Sequence, residues 1–210
     1  MANRKQKLEL TWIGKEERPR LEPRILLEEP ERGYHATHRV GENDLFDNRL
    51  IFGDNLLALK ALEQEFTGKI KCIYIDPPFN TGEAFDHYDD ALEHSIWLSL
   101  MRDRLQLLHG LLSKEGTLLV HIDDNELGYL IVLLDEIFQR ANRKYMVAFK
   151  QSSVSGPKSI NPGLVSISSY ILIYAKDTNY WNPHKLYVPT ARDGRYNKYI
   201  GNYSGRKPVV

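Results

Sequence analysis

The sequence predicts an α/β domain built on a mostly parallel sheet, and three observations predict it. Apolar, β-rich runs at 70–75, 117–122 and 145–149 are separated by stretches with helical apolar spacing, and a further run at 170–174 follows a loop. The run Ile70-Lys71-Cys72-Ile73-Tyr74-Ile75 is nearly continuous rather than alternating, which suits a buried parallel strand. Two polar segments, 76–82 and 121–125, each follow such a run, and ligands in open α/β sheets bind at the carboxyl ends of strands.

Bulk properties narrow the class. The chain has 210 residues, 42% hydrophobic and 27% charged, enough for one sizeable core. Lys+Arg and Asp+Glu each total 28, so global charge does not advertise a nucleic-acid binder, although a local basic surface stays open. Cys72 is the single cysteine, so no internal disulfide or cysteine-built zinc site can form, and it reads as a small core hydrophobe in a reducing setting. No metal site is expected. The charged first 20 residues contain no signal-like apolar stretch, and no run approaches the roughly 18 apolar residues of a membrane span. A cytoplasmic protein without membrane contact is expected.

Each element has a local reason. Residues 1–48 are charge-rich and interrupted by Pro19, Pro23 and Pro30, which predicts an irregular arm, either solvated or packed across the domain or a partner. Leu50-Ile51-Phe52 reads as a short first strand closed by Gly53. Asp54 suits a helix N-cap, with Leu57, Leu62 and Phe66 on one apolar face and Gly68 as the stop. After the 70–75 strand, two prolines end the ladder. Leu98, Met101, Leu105, Leu108 and Leu112 predict a helix over 95–112, and strand 117–122 follows it. Asp123-Asp124-Asn125 then reads as a helix opening, with Leu127, Leu130, Ile131, Leu134 and Phe138 on one face and the acidic pair at the positive end of the dipole. Strand 145–149, a Ser/Gly/Pro loop over 150–166, strand 170–174 and a polar, aromatic tail complete the chain. The right-handed crossover rule is expected to place helices on both faces.

Chemistry concentrates in Asp76-Pro77-Pro78-Phe79-Asn80-Thr81-Gly82. The prolines stiffen the loop, and their missing N–H groups tend to leave nearby carbonyls free as acceptors. A carboxylate, free carbonyls and an aromatic face suit a planar ring that bears an amino group, with stacking worth roughly 1–3 kcal/mol per base. The alternative is a tight turn in which Asp76 caps a helix and Phe79 fills the core. His121 reads as packed at a strand end rather than as a general base.

Ile51-Phe52-Gly53-Asp54-Asn55-Leu56-Leu57-Ala58-Leu59 and Ile73-Tyr74-Ile75-Asp76-Pro77-Pro78-Phe79-Asn80-Thr81-Gly82 resemble the amino-directed DNA methyltransferase family. They are most similar to the modification (Mod) subunits of Type III restriction–modification systems. Trp97-Leu98-Ser99-Leu100-Met101, His121-Ile122-Asp123-Asp124-Asn125-Glu126 and Tyr170-Ile171-Leu172-Ile173-Tyr174-Ala175-Lys176 are similar to later blocks in the same order. The resemblance implies a Rossmann-like class I methyltransferase sheet and methyl transfer from S-adenosyl-L-methionine to adenine N6 in double-stranded DNA, with cytosine N4 as the alternative. The target base must be swung out of the duplex. Asp76 and the Pro77 carbonyl would accept from the amino group, Pro78 would stiffen the loop and Phe79 would stack on the base. Asp54, Asp76, Asn80 and Thr81 would lie near the cofactor.

One departure bears on completeness. The family's Phe-x-Gly-x-Gly cofactor block has no counterpart, since Gly156 and Gly163 lie in a Ser/Pro loop. The expectation is therefore an incomplete sheet with an exposed edge and a fragment inactive alone. Its divisions are an arm (1–48), a partial catalytic domain (49–177) and a tail (178–210) leading towards a target-recognition region. Expected partners are a C-terminal methyltransferase portion, a second modification subunit and a restriction subunit. A catalytically dead DNA-binding or assembly module of the same fold is the competing reading. Lys150, Lys158, Lys176, Lys185, Arg192, Arg195, Lys198 and Arg206, interleaved with tyrosines, suit either a nucleic-acid surface or a solvated face.

Overall fold

The computed structural model describes residues 9–34, 37–80, 93–151 and 167–184 in full, and 84–85 and 88–89 by backbone alone. Thr81, Gly82, Gly156, Gly163, Lys158, Lys185, Arg192, Arg195, Lys198 and Arg206 lie outside the described residues, as does most of the expected 150–166 loop. In chain order the main elements are α1 (Asn55–Phe66), β1 (Ile70–Ile75), β2 (Ala84–Phe85), β3 (Tyr88–Asp89), α2 (His94–Leu111), β4 (Leu112–Ile122), α3 (Leu127–Phe138), β5 (Arg143–Lys150) and β6 (Ser168–Ala175). Single turns of 3₁₀ helix occupy Pro30–Arg32 and Arg140–Asn142.

A four-stranded sheet with order β1-β4-β6-β5 carries the domain, and β2 and β3 form a separate small hairpin. β1 and β4 pair in parallel, whereas β6 runs antiparallel to both β4 and β5. The sheet is therefore mixed rather than mostly parallel. No helical apolar spacing separates β5 from β6 in the sequence, and β6 pairs antiparallel beside its predecessor. The helices also differ from expectation: α2 and α3 share one core and cover one face. Both parallel crossovers, β1 to β4 and β4 to β5, move the same way across the sheet, and a fixed hand then places both helices on the same side.

That side is the core. Leu118, Val120, Ile122, Leu172 and Tyr174 are fully buried beneath Trp97, Leu98, Met101 and Leu105 of α2 and Leu130, Leu133, Leu134 and Phe138 of α3. Each such side chain contributes about 1.5–3 kcal/mol. The opposite face carries Tyr74, Tyr145 and Val147, which are 56%, 59% and 44% exposed. Cys72 lies on this face and is exposed, not a core residue. β1 is an edge strand with one uncovered face, so its apolar run does not signal burial on both sides.

Local chemistry sets the element ends. Asp54 caps α1, with Oδ1 accepting from the N–H groups of Leu56 (2.9 Å) and Leu57 (3.2 Å). Gly68, at φ +68°, turns the chain into β1. The β1–β4 register shifts between Ile70 and Cys72, and Gly116 fills the irregularity; a Cβ there would lie 2.8 Å from the carbonyl oxygen of Ile70. The 50–52 run forms no strand, and Leu50 and Phe52 are fully exposed. Three apolar residues with no neighbouring strand cannot hold a ladder. No helix among the described residues is long and apolar enough to cross a membrane.

Residues 9–18 strap across α2 and α3. Trp12 donates from Nε1 to Ser99 Oγ (2.8 Å), and Lys15 pairs with Glu136 (3.1 Å). Arg102 is 2% exposed, and its guanidinium donates to the carbonyls of Lys15 and Glu17 while pairing with Asp103 at 2.8 Å. A buried guanidinium requires this saturation. Arm and helices together line a cavity of about 440 Å³.

Arg102→Ala should therefore release the strap. Limited proteolysis is expected to cut within 9–18 in the variant while the sheet resists, and denaturant unfolding should show a loss of about 2–4 kcal/mol. A pH effect follows from His109, which burial, and after it the charge of Lys176, push down to about 4. The unfolded chain then binds a proton that the folded one refuses, so this contribution is full above about pH 6.5 and is lost as pH falls towards 4. The thermal midpoint should fall over that window, and His109→Gln should flatten the slope.

Candidate active site

The register sets the site. Ile75 pairs with Val120, and β4 continues for two residues beyond it, so His121 lies level with Asp76. His121 Nδ1 sits 3.1 Å from Asp76 Oδ1, with the carboxylate 61% exposed and the imidazole 12% exposed. Asp76 therefore leaves the carboxyl end of β1 facing solvent, neither capping a helix nor buried in the core. Phe79 is half-buried at the rim of the core, edge-on to His121 with ring centroids 5.0 Å apart. The Phe149 ring of β5 is tilted against that imidazole, centroids 5.5 Å apart.

The prolines behave unequally. Trp97, fully buried at the start of α2, donates from Nε1 to the carbonyl of Pro78 at 2.9 Å. The Pro78 carbonyl is thus not free, contrary to the expectation of open carbonyls; it anchors the loop. Among the described residues nothing donates to the Pro77 carbonyl. Asn80 adopts φ +59°, a conformation that asparagine tolerates, and its amide donates to Glu126 Oε1 at 2.6 Å. His94 Nδ1 lies 2.8 Å from the same oxygen.

The structure thus brings Asp76, Pro77, Pro78, Phe79 and Asn80 together at the end of β1, and Thr81 lies outside the described residues. Asp54 belongs to a different setting. It caps α1, and its Oδ2 faces Arg104 at 3.8 Å while Arg104 also donates to Asn55. Asp123 accepts from the Asn125 N–H (3.0 Å) and shapes a turn. It does not cap α3, whose cap position is Glu126 without a side-chain bond. Sequence reasoning missed Trp97, His94 and Glu126. Trp97 stood inside a quoted block, but nothing in the sequence announces which carbonyl its indole meets.

The DNA methylase family model, for N6- and N4-directed methyltransferases, matches residues 70–206, and the chain belongs to this family. The chain is 38% identical over 160 residues to the probable type III restriction-modification enzyme HindVI Mod subunit of Haemophilus influenzae, covering 75% of this chain and 21% of that protein. It is 30% identical over 207 residues to the EcoP15I Mod subunit of Escherichia coli, covering 82% and 31%. Type II methyltransferase M.EcaI of Enterobacter cloacae is 39% identical over 145 residues, covering 66% and 31%. Among solved structures, M1.HpyAVI superposes with a TM-score of 0.46 at 14% identity, over 66% of this chain and 62% of that one. The chain spans between 21% and 31% of the length of the three relatives named.

Trp97→Phe should preserve most of the core volume yet leave the Pro78 carbonyl unpaired. Denaturant titration is expected to show a loss of about 1–3 kcal/mol, and Trp97→Leu should cost more.

Proposed function

We propose that this chain carries the base-amino site of a DNA methyltransferase that transfers a methyl group from S-adenosyl-L-methionine to adenine N6. One observation carries the reading: an exposed carboxylate, Asp76, next to a carbonyl, Pro77, with no described donor, on a loop pinned at the carboxyl end of a parallel strand. An extruded base offers two amino hydrogens, and these are two acceptors on adjacent residues. Amino nitrogens conjugated to a ring are weak nucleophiles, so orienting the lone pair and stabilising the developing positive charge are the effects that count. His121 borders the Asp76 carboxylate at 3.1 Å, and Phe79 offers the ring for stacking.

The exposed carboxylates Asp54 and Asp76 fit the positive charges and hydroxyl groups of S-adenosyl-L-methionine. Asp76, Asn80 and Thr81 would hold it at the end of β1, and Asp54 from its separate place at the cap of α1. When bound, the cofactor supplies an electrophilic methyl group on sulfonium sulfur. Asp76 stands for both functions, since it would border both the amino group and the methyl donor. Residues 49–177 form the catalytic portion in this reading, with 1–48 as an arm and 178–210 leading towards target recognition. The Mod relatives, subunits of restriction-modification enzymes, support DNA as substrate and association with a restriction subunit; double-stranded DNA, further methyltransferase chain, a second modification subunit and a cytoplasmic location belong to the same proposal.

Labelled methyl transfer to duplex DNA tests this, with the chain alone and joined to the remainder its relatives carry. Asp76→Ala in the active form should lower turnover by at least about 100-fold, with the thermal midpoint little changed. Unchanged turnover in that variant would overturn the assignment.

A further inference from the structure

We infer that Glu126 is a positioning residue for the Asp-Pro-Pro-Phe-Asn loop, acting through Asn80 and steadied by His94. The inference rests on the reading of that loop as the amino-group site. The Glu126 side chain is 4% exposed, and a carboxylate is costly to bury unless donors saturate it. Helix capping does not account for it, because it makes no side-chain bond to α3. Its interactions point instead at the neighbouring strand end and helix: Asn80 Nδ2 at 2.6 Å and His94 Nδ1 at 2.8 Å meet on the single oxygen Oε1. These partners lie 46 and 32 residues away in sequence. Oε2 of Glu126 and Nε2 of His94 are buried without partners, so the contacts to Oε1 carry the burial of the group. The His94 ring is set by an edge-on contact with Tyr129, centroids 4.2 Å apart.

The consequence for the loop is geometric. Asn80 follows Phe79 and sits in the left-handed region at φ +59°. A side-chain bond to a buried, charged acceptor holds it there and thereby sets how the loop leaves the ring of Phe79. His121 borders Asp76 at 3.1 Å and Trp97 holds the Pro78 carbonyl, so Glu126 supplies a second hydrogen-bonded anchor, at the downstream end.

Nuclear magnetic resonance on the full 210-residue chain tests this, with parent, Glu126→Ala and Glu126→Gln proteins. The parent should show a proton on His94 Nδ1 and a protected Asn80 side-chain amide. Glu126→Ala should speed exchange of that amide by about tenfold or more, the factor a charged hydrogen bond supports. The Trp97 indole resonance should stay in place. Glu126→Gln keeps an acceptor oxygen and should restore most of the protection. An unprotected Asn80 amide or an unprotonated Nδ1 in the parent overturns the proposal without any variant, which covers a Glu126→Ala chain that fails to fold. Parental exchange in a folded Glu126→Ala chain overturns it equally. Fluorescence of a 2-aminopurine duplex is read in parallel, with the parent chain joined to the remainder its relatives carry, and judges the amino-site reading alone. Asn80 loosened in the variant, with no signal from the joined parent, leaves the anchor standing and sinks that reading.

Discussion

Parallel pairing of β1 with β4, in a register that carries β4 past the end of β1, is the constraint on which the site depends. It sets His121 level with Asp76 and brings the turn after β4 alongside the loop after β1. Among the described residues, the groups that meet the proline loop come from what this pairing places nearby: the end of β4, the first turns of α2 in the crossover, and Glu126 just before α3. The register itself is held where Gly116 lets the backbone of β4 approach Ile70, a position closed to any side chain.

Polar groups in this interior are buried at a cost that hydrogen bonds offset. Arg102 meets it with two carbonyls and a carboxylate, Tyr174 with Asp135 at 2.7 Å, and Glu126 in part, with an amide and an imidazole on Oε1. Burial, with Asp135 beside it, pushes the Tyr174 hydroxyl up, so it remains a neutral donor. Such pairings over-determine geometry. An apolar core accepts many arrangements of similar energy, whereas a saturated polar group accepts few.

Elements with their own periodicity were legible in the sequence. The 70–75 strand matches β1 residue for residue, the Asp54 cap was readable from its type and place, and the leucine spacing of α2 was right to within a residue at each end. Facts that depend on neighbours were not legible. Apolar content in β1 cannot distinguish a central strand from an edge strand with one open face, so Cys72 was misplaced. The crossover rule needs the strand order before it can say which face a helix covers. At the site, Asp76 and Phe79 announce themselves by residue type beside two prolines. Glu126 and Trp97 gain their meaning from partners 46 and 19 residues away. The β2–β3 hairpin is two residues per strand, too short to carry a period.

The strap formed by residues 9–18 bears on how the molecule is handled at the bench. A boundary drawn where regular periodicity begins, near Asp54, would look prudent on a hydropathy plot. Trimming there would take away the carbonyls of Lys15 and Glu17 and leave the Arg102 guanidinium stranded in the interior. α2, which carries both Arg102 and the indole that holds the Pro78 carbonyl, would then shift or admit water. Affinity tags and protease sites belong upstream of Glu9.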